Sequence, residues 1–127
     1  LYKLAYYFTL PDSLQEIGEW TFWDCNKVCI SVIPEHVSKI GRLAFTCCEG
    51  IKALVFKNQL EVINDRAFSG CKNLERIVFP NNLREISDFA FARCINLKGI
   101  NLPASLQKIG YRAFGNCVKC ILIGQIN

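Results

Sequence analysis

The stretch ISDFAFARC, residues 86–94, returns along the chain at a constant interval. Close copies begin at Ile40 (IGRLAFTCC), Ile63 (INDRAFSGC) and Ile109 (IGYRAFGNC), and a looser copy, IGEWTFWDC, begins at Ile17. The five starts are evenly spaced, and no insertion interrupts the series. An active site needs one copy of a segment, so five copies predict a repeated architecture rather than a repeated chemistry.

The same interval aligns whole columns of side chains. The columns are Leu14, Val37, Leu60, Leu83 and Leu106; Ile17, Ile40, Ile63, Ile86 and Ile109; Thr21, Ala44, Ala67, Ala90 and Ala113; Phe22, Phe45, Phe68, Phe91 and Phe114; and Cys25, Cys48, Cys71, Cys94 and Cys117. A period in the twenties indicates a solenoid, in which each unit is one coil. One coil cannot bury its own apolar face, whereas stacked coils place like residues over like. We therefore expect residues 1–127 to form a single solenoid of about five repeats.

Each repeat carries one short apolar stretch with the alternation of a strand. We predict strands near residues 7–10, 30–33, 53–56, 76–79, 99–102 and 120–123, paired in parallel between successive coils. The nonapeptide begins with turn formers, and we predict one short helical turn after them, near residues 65–70 in the middle repeat. The expected class is α/β: a parallel sheet on the concave face and short helical or 3-10 turns on the convex face.

Composition excludes several classes of partner. The net charge is only +4, and no dense run of Lys or Arg suggests a nucleic-acid surface. No apolar stretch approaches the roughly 20 residues of a membrane span, so we expect no membrane insertion. The chain contains no Met, even at position 1, which we interpret as a processed chain or a piece of a longer protein.

Eight cysteines require an explanation. Side chains stacked in parallel keep their Cβ atoms about 5 Å apart, beyond the usual disulfide range, so the Cys column is interpreted as small buried thiols. Cys29, Cys47 and Cys120 lie off that column, and a disulfide that involves one of them stays open. Cys25 and Cys48 would complete a set of four thiols with Cys29 and Cys47, but the spacing fits no zinc signature, and no metal site is predicted.

Catalytic groups are sparse. The single histidine, His36, falls on a turn column, where a solvent-facing residue is expected. No serine sits in a nucleophile elbow, and the glycines form no phosphate loop. We therefore predict no enzyme activity and no cofactor.

A solenoid displays its variable columns as a continuous surface. On the sheet, one outward column is expected at Tyr7, Ile30, Ala53, Arg76, Gly99 and Leu122, and the next at Thr9, Val32, Val55, Val78 and Asn101. Consecutive outward valines suggest an apolar strip for a protein ligand, although the strand propensity of Val explains them as well. A second candidate surface is the column Trp20, Leu43, Arg66, Phe89 and Arg112, rich in residues common at binding hot spots. The predicted partner-binding residues are Tyr7, Ile30, Val32, Val55, Arg76, Val78, Asn101, Trp20 and Phe89.

The pattern L-x-x-I-x-x-P-x-x-L-x-x-I-x-x-x-A-F-x-x-C, present in residues 74–94, resembles the BspA-type leucine-rich repeat family. The resemblance implies a curved solenoid and a binding protein without catalytic activity, secreted or attached to the cell surface of a bacterium or a mucosal protist. The chain departs from the pattern near its ends, at Thr21, Ser31, Cys120 and Gln125.

We therefore predict a non-catalytic protein-interaction or adhesion module, whose partner would be a host surface or matrix protein. The alternative is a structural spacer in a larger surface protein, with no ligand of its own. The apolar C-terminal coil indicates either further repeats or self-association through that coil. A surface location follows from the resemblance, whereas many free thiols favour a reducing or anaerobic setting and keep a cytoplasmic location open.

Overall fold

The computed structural model describes residues 6–7, 9–57 and 59–126. Short strands connected by turns make up these ranges, and no helix occurs within them. The strands are β1 (Tyr6–Tyr7), β2 (Glu16–Ile17), β3 (Val28–Cys29), β4 (Val32–Ile33), β5 (Lys39–Ile40), β6 (Ala53–Phe56), β7 (Val62–Ile63), β8 (Arg76–Val78), β9 (Glu85–Ile86), β10 (Gly99–Asn101), β11 (Lys108–Ile109) and β12 (Ile121–Ile123). All observed pairs are parallel, as expected for a solenoid of stacked coils.

The first series of strands forms what we call the sheet face, carried by β4, β6, β8, β10 and β12. Strand β6 pairs with β4 and β8 at the interval of the sequence repeat, for example Val32 with Val55 and Val55 with Val78. These strands confirm the predictions near residues 53–56, 76–79, 99–102 and 120–123. The concave curvature of this face stays a prediction.

A second series of strands, separate from the first, was not predicted. Strand β2 pairs with β5, and β9 pairs with β7 and β11. Each of these strands holds two residues, the second of which is the repeated Ile. Its side chain points inward, while the preceding Glu, Lys or Val faces outward. The repeated Ile therefore marks a strand that leads into the nonapeptide turn.

The third side of each coil, which we call the turn face, consists of consecutive turns, and the predicted helical turn near residues 65–70 is wrong. Leu43 and Cys47 have φ angles of 62° and 60°, and the equivalent residues of every other repeat are also left-handed. A right-handed helix cannot continue through such residues. Alternate backbone N–H groups instead donate to carbonyl oxygens of the next coil. For example, Phe45 N donates to Ala67 O at 2.8 Å.

The core is built from stacked copies. The rings of Phe45 and Phe68 stack with centroids 5.1 Å apart and planes 4° from parallel, and Phe68 stacks on Phe91 at 5.4 Å. Phe22 and Phe114 extend the column at either end, at 5.0 and 5.5 Å from their neighbours. The predicted single column of phenylalanines is confirmed.

The cysteine column has a hydrogen-bonding role besides filling space. The Cys71 thiol donates to the Phe45 carbonyl of the preceding coil at 3.2 Å, and the Cys94 thiol donates to the Phe68 carbonyl at 3.3 Å. Each of these carbonyl oxygens also accepts the backbone N–H of the cysteine in its own coil. The thiol of the next coil therefore donates to the second lone pair of the carbonyl oxygen. Burial raises the pKa of Cys48 to about 12, which keeps this thiol protonated.

Candidate protein-interaction site

The outward residues of the sheet face form a short apolar strip. Pairing between strands brings Val32, Val55 and Val78 into one line, one residue from each of three coils. Val78 is 57% exposed, while the other two valines are half-buried. The predicted row of outward valines is therefore present in the structure.

Charge borders this strip. Arg76 is exposed, pairs in register with Ala53, and has no carboxylate within ion-pair distance among the described residues. The neighbouring Glu75 is held by Lys98 at 2.8 Å, and this hydrogen bond lowers the pKa of the Glu75 carboxyl. Arg76 is thus available to a partner, and its guanidinium can form a two-pronged contact with a carboxylate.

The C-terminal part of the sheet face differs from the prediction by one residue. Strand β12 pairs with β10 at an interval one residue shorter than the repeat, so Ile121 lies opposite Gly99 and Ile123 lies opposite Asn101. Asn101 is exposed as predicted. Ile121 and Ile123, which are 68% and 53% exposed, take the positions opposite Gly99 and Asn101, while Leu122 pairs with Ile100 and is itself 43% exposed. A strictly constant period could not reveal this shift.

The exposure expected for Ile30 is wrong. Ile30 is buried, with 4% of its surface exposed, whereas the next residue, Ser31, is exposed. In the next three coils the residues at the place of Ser31 are Leu54, Ile77 and Ile100, which are buried, and a serine there would bury a hydroxyl in the core. Ile30, which lies between β3 and β4, fills the core instead. Tyr7 belongs to β1, but its side chain lies outside the described part of the structure.

The second candidate surface lies on the turn face. Trp20 is 50% exposed and meets Trp23 edge to face, with ring centroids 5.8 Å apart. Three coils further on, Phe89 is half-buried, and the guanidinium carbon of Arg66 lies 4.4 Å from its ring centroid. The two aromatic positions predicted as binding residues therefore belong to separate patches of this face.

Histidine, cysteine and carboxylate side chains are the groups of this chain that could perform catalysis or bind a metal. His36 is exposed, with Nε2 3.6 Å from a carboxylate oxygen of Glu35 and Nδ1 3.1 Å from the carbonyl oxygen of Asp12. Within the described residues, no three His, Cys, Asp or Glu side chains are grouped as metal ligands, and all eight cysteines are free thiols. No helix in this part of the chain is long and apolar enough to span a membrane.

Comparison with solved structures finds similar solenoids. A leucine-rich cell surface protein from Faecalibacterium prausnitzii is 28% identical, with a TM-score of 0.83 over 94% of this chain and 32% of its own. A leucine-rich repeat protein from Bacteroides ovatus is 26% identical, with a TM-score of 0.65 over 88% of this chain and 35% of its own. A leucine-rich repeat protein from Bacteroides capillosus is 25% identical, with a TM-score of 0.51 over 93% of this chain and 77% of its own. The chain thus spans about a third of the length of the first two proteins.

The search of curated proteins returns no match. The family model for the BspA type leucine-rich repeat region matches residues 3–121 with six copies. This match covers most of the sequence and agrees with the stacked coils of the structure. The chain belongs to the BspA-type leucine-rich repeat family.

Proposed function

We propose that the chain is a non-catalytic protein-interaction module that binds a partner through the sheet face. The observation that carries the proposal is the line of outward valines at Val32, Val55 and Val78, beside Arg76, which has no ion-pair partner among the described residues. Solvated strand positions usually carry polar residues, so an apolar strip bordered by charge resembles the centre and rim of a protein interface.

The mechanism is rigid display. These side chains lie on β4, β6 and β8, which form one three-stranded parallel sheet with β6 in its centre, next to a core that contains stacked phenylalanines. Valine is stiff about its first side-chain torsion, so it loses little conformational freedom when a partner covers it. A preformed surface of this kind lowers the entropic cost of association.

We further propose that the module acts at a cell surface, in adhesion. Support comes from the family and from the similar solenoid of F. prausnitzii, which is described as a cell surface protein. A host surface or matrix protein is the proposed partner, and a spacer without a ligand is the alternative.

The test compares matched surface variants. Proteins from epithelial surface extracts are cross-linked to the immobilised chain and identified, and the Kd of each purified partner is then measured. We expect Arg76→Glu combined with Val78→Glu to weaken binding at least tenfold, because the change reverses one charge and places another on the apolar strip. Lys108→Glu, at an exposed residue of the second strand series, is the control and should bind normally. Equal affinity of all three proteins would leave the spacer alternative standing.

A further inference from the structure

A groove opens on the turn face across the third, fourth and fifth coils. It has a volume of about 240 Å³. Arg66, Arg93 and Arg112 form its walls, and Ser69, Ala92 and Gly115 lie between them. In the first two coils the place of these small residues is taken by Trp23 and Thr46, so side-chain volume falls along the column. The groove exists because the side chains on the floor of the turn face become smaller from the first coil to the fifth.

The groove carries unbalanced positive charge. Asp65 holds Arg66 at 2.8 Å and also receives Arg42 at 3.1 Å from the neighbouring coil. Arg93 and Arg112 have no carboxylate within ion-pair distance in the described ranges. Asp88 lies in the same turns, but its Oδ1 accepts the backbone N–H of Tyr111 at 2.7 Å. Among the described residues of these turns, Arg42, Arg66, Arg93 and Arg112 thus exceed Asp65 and Asp88 by about two positive charges.

Two of the arginines are held by aromatic rings. Arg66 lies over Phe89 at 4.4 Å, and the guanidinium carbon of Arg112 lies 5.3 Å from the ring centroid of Tyr111. Such stacking orients the planar guanidinium and reduces the freedom that it loses on binding. Ser69 is buried, and among the described residues its hydroxyl makes one long hydrogen bond, 3.4 Å, to the Ala92 carbonyl, so it can turn towards a ligand.

We propose that this groove binds a phosphate monoester in its dianionic form. A phosphate monoester carries about −1.5 to −2 charges at neutral pH, which balances Arg93 and Arg112 together. One carboxylate or one sulfate ester carries a single charge and leaves one guanidinium unpaired. The forked N–H groups of arginine match phosphate oxygens in two-pronged hydrogen bonds, and a water molecule occupies about 30 Å³ of liquid, so the volume admits the group with room for its ester carbon.

The experiment uses phenyl phosphate as the probe and isothermal titration calorimetry on the full chain. Binding should be saturable and should strengthen as the pH rises from 5 to 7.5, because the second phosphate pKa lies near 6. The double variant Arg93→Gly with Arg112→Leu should bind at least tenfold more weakly, since each lost guanidinium removes charge-assisted hydrogen bonds. Both replacements copy residues that other coils use at those places, Gly70 and Leu43, so the fold is retained.

Two further variants distinguish phenyl phosphate binding in the groove from nonspecific attraction to positive charge. Ala92→Thr copies Thr46 of the second coil and narrows the floor without a change in charge, so it should weaken binding. Arg84→Gln removes an exposed arginine elsewhere and should leave binding unchanged. None of these variants touches the sheet face, so failure here leaves the proposed protein partner untouched.

The proposal is overturned by any of four results. The first is undiminished binding by the double variant. The second is equal affinity for phenyl sulfate, which stays singly charged across this pH range. The third is the absence of saturable phenyl phosphate binding. The fourth is tighter binding of a tetraglutamate peptide, which would assign the groove to a carboxylate-rich protein segment.

Discussion

The replacement Phe68→Ala removes the middle ring of the phenylalanine column. Phe68 is fully buried and stacks on Phe45 at 5.1 Å and on Phe91 at 5.4 Å. The edge of its ring also meets Phe56, with centroids 6.1 Å apart. Loss of a buried phenylalanine costs about 3–5 kcal/mol, and three aromatic contacts place this residue at the upper end. We expect a loss of about 5 kcal/mol, against a total stability of order 10 kcal/mol for a chain of this size.

Phe114→Ala is the matched control, because it removes the same side chain from the end of the same column. Phe114 is half-buried and stacks on one ring, Phe91, at 5.5 Å. We expect a loss of about 2 kcal/mol. Urea denaturation followed by circular dichroism measures both free energies of unfolding. Equal losses for the two variants, or a loss for Phe68→Ala no larger than the one expected for Phe114→Ala, would refute the reasoning from a shared column.

Three further outcomes follow from the structure. Arg93 has a φ of 59°, so Arg93→Gly should raise the free energy of unfolding by about 1 kcal/mol in thermal denaturation, and an unchanged or lower midpoint would contradict this. Desolvation raises the pKa of the Cys48 thiol from 9.0 to about 12 and that of Cys71 as well. These thiols therefore ionise at lower pH in the unfolded chain than in the folded chain, and the free energy of unfolding measured by urea titration should fall as the pH rises from about 9 towards 12. A free energy of unfolding that does not change over this pH range would count against buried neutral thiols. Leu122 lies on the terminal strand β12, which pairs only with β10 among the described strands, so Leu122→Lys should reduce any self-association seen by light scattering after size exclusion. A mass that is the same for both proteins and independent of concentration would exclude that edge as a contact.

The stacked core could be predicted because the constant interval of the repeat aligns equivalent residues of successive coils. Phe45, Phe68 and Phe91 occupy one place in each copy, and apolar residues so placed can be buried only if successive coils superpose. The parallel strands follow from the same argument. Their central members, β6 and β8, pair at the predicted interval, with Leu54 opposite Ile77.

The turn face could not be predicted from residue types. Arg66 adopts a left-handed φ of 55°. Neither arginine nor the residue types at the equivalent positions, Leu43 and Phe89, indicate that conformation. The conformation is stabilised by hydrogen bonds between coils, such as that from Arg66 N to Asp88 O at 3.0 Å, and these exist only after stacking. An AF pair after turn residues resembles a helix start when a single coil is considered alone.

The ends of the solenoid departed from prediction for a related reason. A strict period assigns an outward position to Ile30 and to Leu122, but Ile30 is buried and Leu122 pairs with Ile100 in a register one residue shorter than the repeat. Ser31 turns outward and Ile30 takes its place in the core. Likewise β12 slips by one residue and presents Ile121 and Ile123 on the sheet face.

Deletion of a whole coil tests the central claim most directly. A chain without residues 64–86 loses one period and should restore every column with one fewer member, whereas a chain without residues 64–74 loses about half a coil and cannot align its columns. Cooperative urea unfolding, followed by circular dichroism, reports whether each chain folds. We predict cooperative unfolding, with lower stability, for the full-coil deletion and none for the half-coil deletion. A half-coil deletion that folds as well as the full-coil deletion would contradict a core built from stacked copies.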